Sequence, residues 1–230
     1  MATPKDDVIA IDGPAGVGKS SVAKAVAQEL DISMLDTGAI YRAVGVAVFS
    51  AGLNPNSVED CATVLPDCDL RVGGWGEMWL YGESIPQFLL RGAMGSKASS
   101  QVAQHPVVRD FLLDMQRSAL SELGELVVEG RDIGTVVFPN AMCKIYLTAD
   151  ESVRKARIIH KQLEMGKSQS EAENAAADVT ARDARDTERK VAPLRPADDA
   201  IIIDTSAMSQ SEVVDQITEA YENLRAHFMA

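Results

Sequence analysis

The chain has 230 residues, a formal net charge of -12 from 22 Lys plus Arg against 34 Asp plus Glu, 46% hydrophobic residues and only 5% aromatic ones. That length fits one α/β domain with a small insertion, and the composition supports a buried core rather than global disorder. The acidic balance excludes a protein that coats nucleic acid, which needs a broad cationic face, although a local pocket can still be positive.

Cys61, Cys68 and Cys143 cannot form a closed disulfide set. His105, His160 and His227 lie far from them in the chain, so no zinc spacing arises and these residues read as core or surface filling. The opening MATPKDD is acidic where a signal peptide is basic, and no apolar stretch is long enough to span a bilayer. A soluble protein in the reducing cytoplasm is expected.

In chain order, Val8 to Ile11 reads as a buried strand, Asp12 to Gly18 as a glycine-rich turn, and Lys19 to Leu30 as a helix. Met34-Leu35 starts a second extended piece, and Ile40 to Ala51 reads as a helix closed by Gly52. Between Leu70 and Gln87 the pattern changes: Gly73, Gly74, Trp75 and Trp79 cluster there. Leu70 to Val72 and Met78 to Tyr81 are expected as strands of a small β insertion, with Tyr81 to Ser84 as a hairpin loop.

Val107 to Leu123 returns to helical spacing. Leu126 to Glu129, Cys143 to Leu147 and Ala200 to Asp204 are further strand candidates. Ser168 to Glu171 and Ser209 to Glu212 match capping boxes, and after the second, Val213, Ile217, Ala220, Tyr221 and Leu224 form one helix face. Short apolar strands separated by helices predict a mostly parallel sheet covered on both faces.

Gly13-Pro14-Ala15-Gly16-Val17-Gly18-Lys19-Ser20 fits G-x-x-x-x-G-K-[ST] in full, after a strand and before a helix. Such a loop aims backbone N–H groups at phosphate oxygens, and the following helix adds its positive end. Lys19 is expected at the β and γ phosphates, and the Ser20 hydroxyl at a magnesium ion. The loop identifies a nucleoside triphosphate and leaves the acceptor open.

Two arginine-bearing segments address the acceptor. Glu129-Gly130-Arg131-Asp132-Ile133-Gly134-Thr135 follows a strand, at the carboxyl end where open α/β sheets bind ligands. Arg131 can fork around a phosphate, and Asp132 can orient a base or an arginine. If 182–189 is helical, Arg182, Asp186 and Arg189 share one face at i, i+4 and i+7. A surface turn and a solvated salt-bridge ladder are the competing readings of these two segments. Transfer between two nucleotides favours the first reading, because it brings several negative charges within about 5 Å of one another. An attacking phosphate oxygen needs no general base, which suits a chain without a convincing catalytic His.

Taken together, IDGPAGVGKS, LDTGAIYR at 35–42, Ala98 to Val102 with Arg109, EGRDIGTVVFP at 129–139, ARDARDTER at 181–189 and APL at 192–194 resemble bacterial cytidylate kinases. The resemblance runs from about Val8 to the last helix. It implies an α/β P-loop nucleoside monophosphate kinase fold: one kinase domain over 1–230, with a five-stranded parallel sheet flanked by helices. Within it the resemblance implies a small β-containing acceptor-binding insertion at about 64–105 and a short lid at about 157–178.

The reaction implied is ATP plus CMP or dCMP to ADP plus CDP or dCDP, with Mg2+. Gly13 to Ser21 would hold the donor, with Ser20 on the metal. Thr37 and Arg42 would lie near the monophosphate, while Ser100, Arg131 and Asp132 would address the cytosine. Arg109 would position base and phosphate. Arg182, Asp186 and Arg189 would contact phosphate and ribose, with Asp186 on a sugar hydroxyl. Arg157 would be a lid arginine and, with Lys19, Arg131 and Arg189, catalytic.

The partners implied are small nucleotides, not a nucleic-acid polymer or a membrane, and the chain is expected to be a monomer. Ile158 stands where the family often has a second lid arginine, Ser20-Ser21 replaces the common Gly-Ser/Thr pair, and 83–97 strays from the family's run, which blurs the place of Arg91. Another small-metabolite kinase, of uridylate or shikimate type, and a nucleotide-binding switch without transfer are the alternatives. The second gives no reason to gather Arg131, Arg182 and Arg189.

Overall fold

A computed structural model of the chain describes residues 5–73, 77–86, 90 and 93–229. Gly74, Trp75 and Arg91 lie outside the described residues. The larger sheet has five parallel strands in the order β2-β6-β1-β7-β8, formed by β1 (Asp6–Asp12), β2 (Ser33–Asp36), β6 (Leu126–Glu129), β7 (Ala141–Thr148) and β8 (Ile201–Asp204). Non-consecutive neighbours in that order require helical crossovers, as expected of short apolar strands alternating with helices. Contacts divide the chain into two compact units, 1–31 with 129–230, and 32–128.

In the first unit, β1 and β7 pair in parallel from Ile9 opposite Cys143 to Asp12 opposite Tyr146, and β7 continues onto β8 with Ile145 opposite Ile201. Val8 to Ile11 and Cys143 are fully buried, which explains why β1 reads as an uninterrupted apolar run. β1 ends in the loop that leads to α1 (Lys19–Leu30). Gly13 has φ 146°, and a Cβ there would sit 2.2 Å from the Leu147 carbonyl oxygen, so only glycine lets the loop pass β7. At Gly16 (φ 80°) a Cβ would lie 2.8 Å from the Arg154 carbonyl oxygen.

The same unit holds a helical pair, α6 (Glu151–Glu164) and α7 (Gln169–Glu188), and the last helix, α8 (Gln210–Met229), which packs on α1 and β7. Ser168 and Glu171 form the expected capping box at α7. At α8 Ser209 and Glu212 exchange the matching bonds: Ser209 N donates to Glu212 at 2.8 Å and Glu212 N to Ser209 Oγ at 3.3 Å. Val213, Ile217 and Tyr221 are buried, while Ala220 and Leu224 are half-buried at the margin of that face.

The second unit is built on α2 (Thr37–Ser50), three residues longer at its start than its apolar spacing predicts. Asp36 supplies the reason: its carboxylate accepts from Ala39 N at 2.9 Å and caps the helix. α2 packs against α4 (Ala93–Val102). A Cβ on Gly45 would lie 2.7 Å from the Ala98 Cβ, so the two helices touch through their smallest residues. α3 (Val58–Val64) packs on α5 (Pro106–Leu123).

The β insertion forms as predicted but with a third strand: β3 (Leu70–Val72), β4 (Met78–Leu80) and β5 (Glu83–Ser84) pair antiparallel. Tyr81 and Gly82 both have positive φ, 55° and 78°. That two-residue turn suits a tight hairpin, so Glu83 and Ser84 pair with β4 instead of looping. No helix among the described residues is long and apolar enough to cross a membrane.

Candidate active site

The phosphate-binding loop is held from three sides. Lys19 Nζ donates to the Pro14 carbonyl at 2.7 Å, the Ser20 hydroxyl donates to Glu129 at the end of β6, and Ala15 N donates to both carboxylate oxygens of Asp183 on α7, at 3.0 and 3.1 Å. Arg154 of α6 grips the same place, donating to Ala15 O at 3.1 Å and to Asp183 Oδ2 at 2.6 Å. Lys19 is 6% exposed. Its burial, together with the nearby positive charge of Arg131, pulls its pKa down from 10.5 to about 7.

Next to the loop lies the turn after β6. Gly130 N donates to Ile11 O and continues the β1 register. Asp132 is the residue before a single π-helical turn, Ile133–Val137. Two consecutive N–H groups at the start of that turn, Ile133 and Gly134, donate to the two oxygens of Asp12, each at 2.8 Å. Asp12 is 4% exposed, and burial raises its pKa from 3.8 to about 7 against the lowering effect of those two bonds.

The arginines of the two motifs converge. Arg131 Nε donates to Asp186 Oδ2 at 3.2 Å, and its guanidinium also lies 3.6 Å from Asp183. Arg189 spans Asp186 Oδ1 and Asp132 Oδ1, both at 3.5 Å, and its Nε donates to Ala192 O at 2.6 Å. Arg182 Nε lies 3.8 Å from Asp186. Lys19, Ser20, Arg131, Asp132, Arg182, Asp186 and Arg189 therefore belong to one polar cluster within the first unit.

The expected face of Arg182, Asp186 and Arg189 forms, with Arg189 at its very end. α7 stops at Glu188, and Arg189 is its C-cap with ψ 142°. Ala192 follows with φ 50°, ahead of Pro193, and the Arg189 side chain bonds back to the Ala192 carbonyl. The Arg189 N–H still donates to Arg185 O at 3.0 Å, so the arginine meets Asp186 from the helix end at i, i+3, and the chain turns away only after it.

Arg157 donates to the Thr205 hydroxyl at 2.9 Å and the Thr205 carbonyl at 2.7 Å, while Thr205 Oγ1 in turn donates to Val17 O at 3.3 Å. It thus meets the loop through Thr205. Arg154, one turn earlier on α6, touches the loop directly and carries no sequence mark of its own. Asp12, Glu129 and Asp183 are likewise site residues that the motif reading passes over. Asp12 and Glu129 were detectable as acids closing otherwise apolar strands.

In the second unit, Asp36 does double duty: besides capping α2 it accepts from Arg42 at 3.0 Å. Arg42 Nε is buried and finds no hydrogen-bond partner among the described residues. Thr37 and Ser100 are buried. Arg109, 8% exposed, lies over the Tyr41 ring at 5.6 Å and donates to Ala103 O at 3.4 Å.

Comparison with known proteins agrees with this geometry. The cytidylate kinase family model matches residues 9–223. The chain is 40% identical to a cytidylate kinase of Cupriavidus necator over 95% of its own length and 97% of the relative's. It is 41% identical to one from Mycolicibacterium paratuberculosis, covering 93% and 94% of the two chains. With one from Pseudothermotoga lettingae it shares 42% identity over 92% of each. With a complete phosphate-binding loop beside its arginine cluster, the chain belongs to the cytidylate kinase family.

Proposed function

We propose that this protein transfers the γ-phosphoryl group of ATP to CMP or dCMP, giving ADP and CDP or dCDP. The observation that carries the reading is the guanidinium and carboxylate cluster of Arg131, Arg182, Asp186 and Arg189 beside Lys19. A protein that only holds a triphosphate needs the loop alone; a kinase joining two anions needs cations for both.

The loop, Gly13 to Ser21, takes the donor phosphates through its N–H groups and Lys19. The Ser20 hydroxyl against the Glu129 carboxylate is an all-oxygen donor pair that fits a magnesium ion, with Ser20 as ligand. Bound there, such an ion would supply charge neutralisation at the donor phosphates, with Ser20 holding it. Lys19, Arg131, Arg157 and Arg189 are the catalytic side chains, and Arg154 joins them because it already sits at Ala15. Residues 157–178 act as the lid, and Arg157 acts on leaving Thr205.

Thr37 and Arg42 serve the acceptor phosphate, while Ser100, Arg131 and Asp132 address the cytosine. Arg109 positions base and phosphate. Arg182, Asp186 and Arg189 serve phosphate and ribose. The insertion at 64–105 belongs to acceptor binding. The three free, buried cysteines suit a cytoplasmic enzyme, and light scattering tests whether it is the expected monomer. A coupled assay with ATP and each of CMP, UMP, AMP and GMP decides the acceptor. CMP should be turned over far faster than AMP or GMP, and equal rates on all four would overturn the assignment.

A further inference from the structure

The geometry points to Asp12 as the positioning residue for acceptor-base recognition: its carboxylate fixes the Arg131–Asp132 turn to the strand that launches the phosphate-binding loop. The inference rests on the assignment of Arg131 and Asp132 to the acceptor.

Three observations carry it. Asp12 is the last residue of β1, directly before Gly13. Its two oxygens accept from Ile133 N and Gly134 N at 2.8 Å each, and those are the first two N–H groups after Asp132. On the other side of the arginine, Gly130 N is held by Ile11 O. Arg131 and Asp132 are therefore pinned through the backbone N–H groups before and behind them, which bond to the Ile11 carbonyl and the Asp12 carboxylate of one buried strand.

Asp12 is nearly fully buried, and this is not an inexpensive way to hold a turn. An asparagine would bury no charge, but its amide nitrogen would face one N–H with another donor. Carboxylate is the side chain that can accept both bonds. The space allows little slack, since a Cβ on Gly134 would already lie 3.2 Å from Lys144 Cδ and 3.5 Å from Asp12 Oδ2. Displacing the turn would swing Asp132 and its partner Arg189, while Ala15 stays held by Asp183 and Arg154 and Ser20 by Glu129.

The test uses Asp12→Asn, Asp132→Ala and the double variant, with dissociation constants for CMP, UMP and an ATP analogue. Asp12→Asn should weaken CMP by about tenfold, the worth of one bond to a charged acceptor, with the ATP analogue within about twofold. CMP preference over UMP should fall, and the double variant should be little worse than Asp132→Ala alone. Equal losses for CMP and the ATP analogue, or additive effects in the double variant, overturn the inference. Normal CMP binding in Asp132→Ala instead overturns the acceptor assignment. An affected Asp132→Ala with an unaffected Asp12→Asn overturns only the role of Asp12.

Should Asp12→Asn not fold, the wild-type protein answers the question. Asp12 faces Lys19 of α1, Asp132 of the turn and Tyr146 of β7, and it gains a proton as pH falls through about 7. The ratio of UMP to CMP dissociation constants, in which phosphate titration cancels, should drop between pH 8 and pH 6. A flat ratio while the Asp12 carboxyl itself titrates across that range, read by carbon NMR, overturns the inference.

Discussion

Arg154 and Asp183 form a 2.6 Å ion pair whose two members hold opposite ends of one residue, the Ala15 carbonyl and the Ala15 N–H. A carboxylate thus occupies one N–H donor of the glycine-rich loop, with an arginine paired beside it.

From this placement, Arg154→Met should weaken ATP binding and lower kcat/KM for ATP by about 10- to 100-fold, the worth of one or two charged hydrogen bonds. Arg157→Met should lower kcat with little change in ATP affinity, because its partner in this structure is Thr205. Calorimetric ATP affinities set beside steady-state rates check both. Unchanged ATP affinity in Arg154→Met would remove that residue from the donor site.

Asp186 receives Arg131 and Arg189 and lies close to Arg182. Asp186→Ala should therefore cost CMP about 10- to 100-fold in kcat/KM. A ribose-only role predicts no loss for an acceptor lacking both sugar hydroxyls, whereas an arginine-ordering role predicts a similar loss for both acceptors. The dideoxy acceptor separates the two.

Lys19 has its pKa drawn down to about 7 by burial and by Arg131. At pH 8 the ligand-free amine is mostly neutral, and an adjoining triphosphate favours the charged form. ATP binding at pH 8 should then take up close to one proton, read as a dependence of the binding enthalpy on buffer ionisation. Lys19→Met should lose that uptake; the same uptake in the variant would assign it elsewhere.

Ser20→Ala should raise the magnesium concentration needed for half-maximal rate by about tenfold, while leaving metal-free nucleotide affinity near the wild-type value. Titrating magnesium at fixed ATP measures it. An unaltered magnesium requirement would take the hydroxyl out of the metal's coordination.

The local features were readable because neighbours in sequence make them. The phosphate-binding loop, the capping boxes at Ser168 and Ser209, and the apolar strands Val8 to Ile11 and Leu126 to Glu129 each follow from a short run of residue types. The shared face of Arg182, Asp186 and Arg189 is likewise written in their i, i+4 and i+7 spacing. What that spacing does not show is the turn after Arg189, where Ala192 has φ 50° and its carbonyl accepts from Arg189 Nε.

The chain's order of residues determined a complete G-x-x-x-x-G-K-[ST] loop between a strand and a helix, and the arginines of two later motifs. Only the tertiary structure decided which acids and bases meet them: Asp183 reaches Ala15 from 168 positions away, and Asp12 reaches Ile133 across 121. The reason is that a buried carboxylate must find donors wherever strands and helices bring them, and spacing along the chain carries no record of that pairing.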